Sequence, residues 1–514
     1  MISQTQDKMR IYILPFLLVI VIFAFHTRWP EIIPAGNGVG YDGTVYAEMV
    51  TRLDEMVKQD QLSAYYAQKM LPSLIARTWV GLLGITATNN NIIQIFIIMN
   101  LILVLISAGF WVAITRRLNL GTTAFLIGAS GIVLFYLNAK QIYYNPVMTD
   151  AYGLMTGCGL VYATISRRLP LICILSVFGA FAWQMSSAVG ALLAIALLFE
   201  FQKAPPGARL FVENKRVLYG IISFSLFISL TVAASSVALS MMGAERKRNF
   251  LGRILTFDFT RVLTNSPTLL LIGLGALSIL VAAYLAKPRL AARPLKIAAH
   301  MAVAGLIIAI PAVIIRSISN PDIPAPGLQG VREILAALLV DRVSDRMVLL
   351  PFIAHAVYYG PVFLLLIAKW PDTVRSATTL GPSVTLMLLL FIGLSGFSES
   401  RFTLLLWPFV VTIVAKTQDG RAIGAAFVIA FTALTAIYSR FWLRINQAPW
   451  PKPDYGFLDQ WPKSIYFSPY GPWMNWHFYI GQGFLVAVSL GVLVWTMQGS
   501  RSSAGLATSK LDGK

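Results

Sequence analysis

The stretch IIQIFIIMNLILVLISAGFWVAI runs from Ile92 to Ile114 without a charged side chain and is closed by Arg116-Arg117. About 20 consecutive apolar residues suffice to cross a bilayer as a helix, and basic residues at the end of such a run anchor it among lipid headgroups. Working outward, comparable runs occupy 11–25, 121–137, 148–165, 171–183, 186–199, 217–240, 266–286, 297–315, 347–368, 381–396, 402–415, 422–438 and 477–498. The pattern predicts an all-α polytopic membrane protein of about 14 spans, within a range of 11–14.

Composition agrees. Apolar residues make up 57% of the 514 positions and charged ones 12%, and mean hydropathy is +0.70. A soluble chain of this length needs more charge to cover its surface. The excess of 41 Lys+Arg over 22 Asp+Glu would suit nucleic acid in a soluble domain. Here the basic residues form short clusters between apolar runs, so membrane lipids are the expected partners and nucleic acid is not. No polar stretch is long enough to bury a core of its own. Residues 1–498 therefore read as one multi-pass domain and 499–514 as a cytoplasmic tail. Cys158 and Cys173 both fall inside apolar runs, and the four histidines lack ligand spacing, so no disulfide, metal or cofactor is expected. Lys8 and Arg10 precede the first run with no small-x-small site after it, which describes an uncleaved first helix.

The segment 171–199 decides the topology. Read as two helices joined near Trp183-Gln184, it puts Arg116-Arg117, Arg167-Arg168, Lys287/Arg289/Arg293/Lys296, Lys369/Arg375 and Lys416/Arg421 on the cytoplasmic side, with both termini. Read as one helix, it reverses everything after it, and Arg246-Lys247-Arg248 favours that alternative. The two-helix reading leaves outside loops at 26–91, 316–346 and 439–476. In the first, Val45, Met49, Leu53 and Met56 recur at helical spacing opposite Glu48, Arg52 and Glu55, and a second stretch runs from Leu62 towards Met70 and is stopped at Pro72. Such amphipathic helices are expected to lie flat in the headgroup region with their apolar faces down.

The chemistry centres on Gly40-Tyr41-Asp42-Gly43-Thr44-Val45-Tyr46. Flanking glycines permit a tight turn and close approach to a ligand, presenting one carboxylate between Tyr41 and Tyr46. Alternatively Asp42 simply caps the helix that begins near Thr44; spacing alone does not choose.

Gly-Tyr-Asp-Gly-x-x-Tyr after a first transmembrane helix resembles the signature of bacterial members of the GT-C glycosyltransferase superfamily. In that family a Tyr-x-x-Arg-Ile-Leu-x-Pro-Leu segment follows; here Tyr66-Ala67-Gln68-Lys69-Met70-Leu71-Pro72-Ser73-Leu74 stands in its place. The likeness covers the first 200 residues or so and continues as hydropathy. Thr44 replaces the usual Gln and Lys69 the usual Arg, so contacts made there differ. The resemblance implies a GT-C-like bundle in a bacterial inner membrane. It implies transfer of a sugar, with inversion, from a polyprenyl-phosphate-linked donor to a hydroxyl of a glycan, lipid or protein acceptor on the extracytoplasmic face. Asp42 would be the base.

Asp150, opening a helix at the same face, is the second acid, since GT-C enzymes often place one there; the competing reading is a cap on the helix dipole. Arg401, in Ser398-Glu399-Ser400-Arg401, sits where it would grip the donor phosphate bidentately, or else pairs locally with Glu399. Lys69 is a further phosphate contact, with Lys140, Arg77 and Arg316 behind it. Tyr41 and Tyr46 wall the site. The loop 439–476 is dense in Trp and Tyr, from Trp442 to Trp476, which suits an interfacial belt or a sugar-stacking surface. The rival from another class is a transporter or flippase of lipid-linked saccharides, and a non-catalytic scaffold is a third.

Overall fold

The computed structural model describes residues 10–199, 294–320, 323, 349–396, 399–421, 423–446, 474 and 476–509. Expected spans 217–240 and 266–286, the cluster Arg246-Lys247-Arg248 and most of the loops 316–346 and 439–476 lie outside these residues. Every named element among them is a helix, and the one β contact is an isolated bridge between Ser63 and Asn320. The first half supplies α1 (Leu14–Arg28), α2 (Gly43–Lys58), α3 (Met70–Leu83), α4 (Asn89–Leu118), α5 (Thr122–Val133), α6 (Asp150–Ile165), α7 (Leu169–Gly179) and α8 (Ser186–Ala196). Then come α9 (Pro294–Ile318), α10 (Leu350–Tyr359), α11 (Pro361–Ala368), α12 (Trp370–Leu380) and α13 (Pro382–Leu394). The chain closes with α14 (Trp407–Gln418), α15 (Ala425–Ser439) and α16 (Trp476–Ser509).

Among the described residues, apolar runs become helices close to where the sequence puts them, and the departures have local causes. The expected span 347–368 is two helices, α10 and α11, because Gly360 adopts φ +69° and Pro361 brings no N–H. What reads as a short basic loop at 369–380 is α12, which buries Thr373, Val374 and Ala377 at helical spacing and leaves Arg375 exposed. The run 121–137 stops at Val133 and resumes after a 49° bend through a π turn, Leu137–Gln141. Two expectations for the first loop are corrected. The apolar face of α2, with Tyr46, Met49, Val50, Leu53 and Met56, is buried against α3 and α4 rather than turned to lipid. Pro72 does not stop a helix; it sits in the first turn of α3, where a missing N–H has no intrahelical partner to lose.

Helix α4 sets the long axis. Gly38 packs on Ile93 near its start, and Arg116 lies 4.9 Å over the ring of Tyr12 near its end. Residues 93 and 116 are about 35 Å apart along the helix, enough for a hydrocarbon layer of roughly 30 Å. At the Arg116 end, the Gly121 N–H donates to Asp419 Oδ1 at 2.9 Å, and Lys416 pairs with Asp419 at 2.7 Å. Arg421 and Arg375 both reach Asp372 there, at 2.7 and 3.3 Å.

Segment 171–199 is a hairpin. α7 and α8 pack together, with Ser176 against Gly190 and Gly179 against Ser186. Its turn faces the other end, where Phe181 O accepts from the Leu71 N–H at 2.9 Å. Arg116, Arg375, Lys416 and Arg421 thus gather at one end and Asp42 lies at the opposite one.

Among the described residues three helices are long and apolar enough to cross a membrane: Asn89–Leu118, Ala298–Ile318 and Trp476–Gln498. The bent pair Thr122–Val133 and Leu137–Tyr144 makes a fourth if taken as one span, and six further apolar helices have 10–17 residues. Breaks at Gly, Pro and polar turns shorten several of the others, so three or four helices reach bilayer length among the described residues and the expected count of about fourteen spans is not established by them. Their outward faces are apolar all the same: Leu17, Val21, Phe178, Val313, Ile429, Phe484 and Trp495 are each more than half exposed. Contiguous apolar surface beyond a few hundred Å² is rare on a soluble monomer.

Candidate functional site

The two glycines around Asp42 do their work against the protein itself. A Cβ on Gly40, whose φ is +85°, would meet Asn145 Oδ1 at 2.3 Å, and one on Gly43 would meet Val147 O at 3.0 Å. The close approach expected toward a ligand is made to loop 145–147, which leads into α6. The Asp42 loop and the Asp150 loop are thereby pressed together.

Asp42 occupies the N-cap position of α2 but its side chain makes no capping bond. Its backbone is helical (φ −63°, ψ −27°), whereas a capping residue has extended geometry that swings the carboxylate over the N2 and N3 amides. The carboxylate is half-buried and has no hydrogen bond or ion pair to a described residue. Beside it Tyr41 is 54% exposed and Tyr46 is 1% exposed. Tyr46 packs edge-on against Tyr66, and its hydroxyl has no described partner. Burial, with Asp42 next, pushes the Tyr46 phenol well above its ordinary range, and the same two causes raise Tyr66 to about 12.

Lys69 stands at the start of α3 and is 8% exposed. Its Nζ donates to the Tyr65 hydroxyl at 2.5 Å and lies 3.8 Å from that ring's centre. Burial brings its pKa down to about 8; Arg401 adds to the fall, and Asp42, Asp150 and Glu399 oppose it. Five charged groups from sequence positions 42 to 401 therefore share one electrostatic neighbourhood.

Asp150 is the first residue of α6 and Thr149 holds the cap position, so Asp150 is not the cap itself, although its place in the first turn keeps it at the positive end of the helix dipole. Asp150 is 1% exposed, and neither carboxylate oxygen receives a hydrogen bond from another described residue. Its charged neighbours are Arg401, Lys69 and Glu399. Arg401 and Glu399 form the local ion pair that was the competing reading, 23% and 15% exposed. That pair does not remove Arg401 from the site, because it also lies near Lys69, Asp150 and Tyr46.

The other candidate cations lie elsewhere. Lys140 forms a buried pair with Glu31 at 2.7 Å, Arg77 pairs with Asp54 at 2.6 Å, and Arg316 is exposed on α9. Of the aromatic loop, Trp442 and Trp476 are described and exposed, and the residues between Asn446 and Met474 lie outside the described set. Sequence reasoning missed Tyr65, His355 and Tyr359. His355 bonds Ser400 Oγ at 3.0 Å and Tyr359 donates to Ser400 O at 2.9 Å. Their spacing of four on one face of α10 was the only sequence signal. Among the described residues no three His, Cys, Asp or Glu side chains converge as a metal site would require.

A cavity of about 290 Å³ opens between α3, α4, α6 and α7, lined by apolar side chains such as Leu71, Trp79, Met99, Tyr152 and Phe178. It begins two residues past Lys69, but Tyr152 lies roughly 200° around α6 from Asp150. No protein family model, curated protein or solved structure matches this chain. The fold and site define an all-helical chain with apolar helices of bilayer length and a charged site at one end.

Proposed function

We propose that the chain is an integral membrane glycosyltransferase of a bacterial inner membrane, of GT-C type. It moves a sugar from a polyprenyl-phosphate donor to an acceptor hydroxyl on the extracytoplasmic face, with inversion. The observation that carries this reading is Asp42: a half-buried carboxylate at a helix start that does not cap the helix, in the same electrostatic neighbourhood as Lys69 and Arg401. In the proposed step Asp42 takes the acceptor proton as the acceptor oxygen attacks the anomeric carbon. The bond from that carbon to the phosphate oxygen breaks, and the polyprenyl phosphate leaves with the electron pair. Arg401 and Lys69 meet the charge that develops on it. Asp150 supports the site from behind, Tyr41 offers an exposed ring to the sugar, and the apolar cavity suits part of a lipid tail.

General-base catalysis contributes about 10²–10⁴ in rate, so Asp42→Asn should lower sugar transfer by that factor. Stability should not change, because Asn and Asp cap about equally and Asp42 makes no cap here. Purified protein, a polyprenyl-phosphate sugar and a panel of acceptors supply the test, with a thermal melt as control. Near-wild-type transfer by the Asn variant would end the base assignment. The transporter or flippase reading draws on one observation, the helix broken at Leu137–Gln141. The cation in that break, Lys140, is already paired with Glu31. Movement of lipid-linked sugar between leaflets without release of polyprenyl phosphate would favour it.

A further inference from the structure

Ser400 lies between Glu399 and Arg401, and one buried helix holds it from two points. His355 and Tyr359 stand a turn apart on α10, 0% and 1% exposed. A carbonyl can only accept, so His355 Nε2, 3.1 Å from Ser395 O, carries a proton and donates it. In a neutral imidazole Nδ1 then accepts, here from the Ser400 hydroxyl at 3.0 Å. Tyr359 donates to Ser400 O and meets Thr403 Oγ1, both at 2.9 Å. Its ring is fixed by stacking on Trp407, with centres 4.0 Å apart. Ser400 is therefore gripped by its hydroxyl and by its carbonyl. The turn Ser400–Thr403 cannot rotate without breaking buried hydrogen bonds, and it carries Arg401 at its outer edge.

We propose that His355 and Tyr359 are positioning residues for Arg401: through Ser400 they hold the guanidinium beside Lys69 and Asp150, where it meets the anionic group of a lipid phosphate. The identity of that anion rests on the transferase reading, whereas the strap itself does not. A purely structural His355 would act through its ring, which packs near Phe363 and Phe391. His355→Phe keeps a ring there and removes both hydrogen bonds. His355→Gln offers one donor and one acceptor in a single plane.

The experiment titrates decyl phosphate onto the purified full chain in detergent, for wild type, His355→Phe, His355→Gln, Arg401→Ala and the His355→Phe/Arg401→Ala pair. Amide hydrogen exchange over residues 399–406 is followed in parallel. The expected result is roughly tenfold weaker binding in His355→Phe, with faster exchange across the turn. His355→Gln should recover most of the affinity, and the double variant should bind no worse than Arg401→Ala alone. Equal further loss in the Arg401→Ala background overturns the proposal, as does wild-type exchange in His355→Phe. Wild-type binding by Arg401→Ala also overturns it, by removing the contact that the strap would serve. A wild-type protein that binds decyl phosphate but transfers no sugar instead defeats the transferase reading and leaves the strap standing.

Discussion

At Lys69 the environment and the proposed task oppose each other. Burial lowers its pKa to about 8 from 10.5, so the ammonium that would meet a phosphate is fully present only below that pH. Decyl phosphate affinity should therefore fall as pH rises through about 8, and Lys69→Arg should flatten the profile, because guanidinium stays charged. Binding measured from pH 6.5 to 9.5 checks both, and a flat wild-type profile would take Lys69 out of the anion site. Stability has the opposite sign. Between about pH 8 and 10.5 the unfolded chain holds a proton that the folded chain has released, so the contribution of Lys69 becomes more favourable as pH rises through that window. Whether Asp42 caps was not legible in the sequence, because an unused and a used cap occupy the same position. Only the helical backbone at Asp42 separates them. Arg401 and Glu399 were legible as a pair, being two residues apart. His355 and Tyr359 were not, because their partners lie some 40 residues away.

Between elements, the sequence showed what each segment is but not what joins it to others. Glu31 ends the first apolar helix region without any motif around it. In the fold its carboxylate accepts from Lys140 Nζ and from the Ile445 and Asn446 N–H groups. Asn446 adds bonds to Ile32 O at 2.7 Å and from the Tyr144 hydroxyl at 2.9 Å. The segment after α15 is thus tied to the beginning of the first loop. Glu31 is 11% and Lys140 3% exposed, so removing Lys140 leaves the Glu31 carboxylate with its two backbone N–H donors but no counter-charge, and breaking a buried pair costs about 3–5 kcal/mol. Arg77–Asp54 is the control, at 36% and 68% exposed, where an exposed pair contributes roughly 0–1 kcal/mol. Thermal melts should show Lys140→Met far below wild type and Arg77→Met close to it. Equal melts would mean that the tie carries no stability. Lys140 stood in the sequence as a phosphate candidate because a lone lysine in an apolar context has no visible partner. Its partner was 109 residues away.

Across the described residues, hydropathy placed the helices and loop charge proposed which ends belong together, but helix length was not legible. Runs such as 347–368 count as spans by composition and are broken by Gly360 and Pro361 in the fold. The hairpin of α7 and α8 returns the chain to the end it left, and among the described residues Arg116, Arg375, Lys416 and Arg421 share that end. A labelling test at Ser400 is the natural choice from sequence, yet Ser400 is fully buried and would report access to the core instead of sidedness. Thr44, next to Asp42, and Thr379, at the end of α12, are both exposed. In a Cys173→Ser background, with Cys158 buried, Thr44→Cys should react with a membrane-impermeant maleimide only from the extracytoplasmic side. Thr379→Cys should react only from the cytoplasmic side, since α12 shares its end with Arg421 and Lys416. Reaction of both from one side would overturn the two-ended arrangement. Reversal of the two would keep the fold but put the charged site in the cytoplasm, where a carrier-linked sugar on the outer leaflet is out of reach.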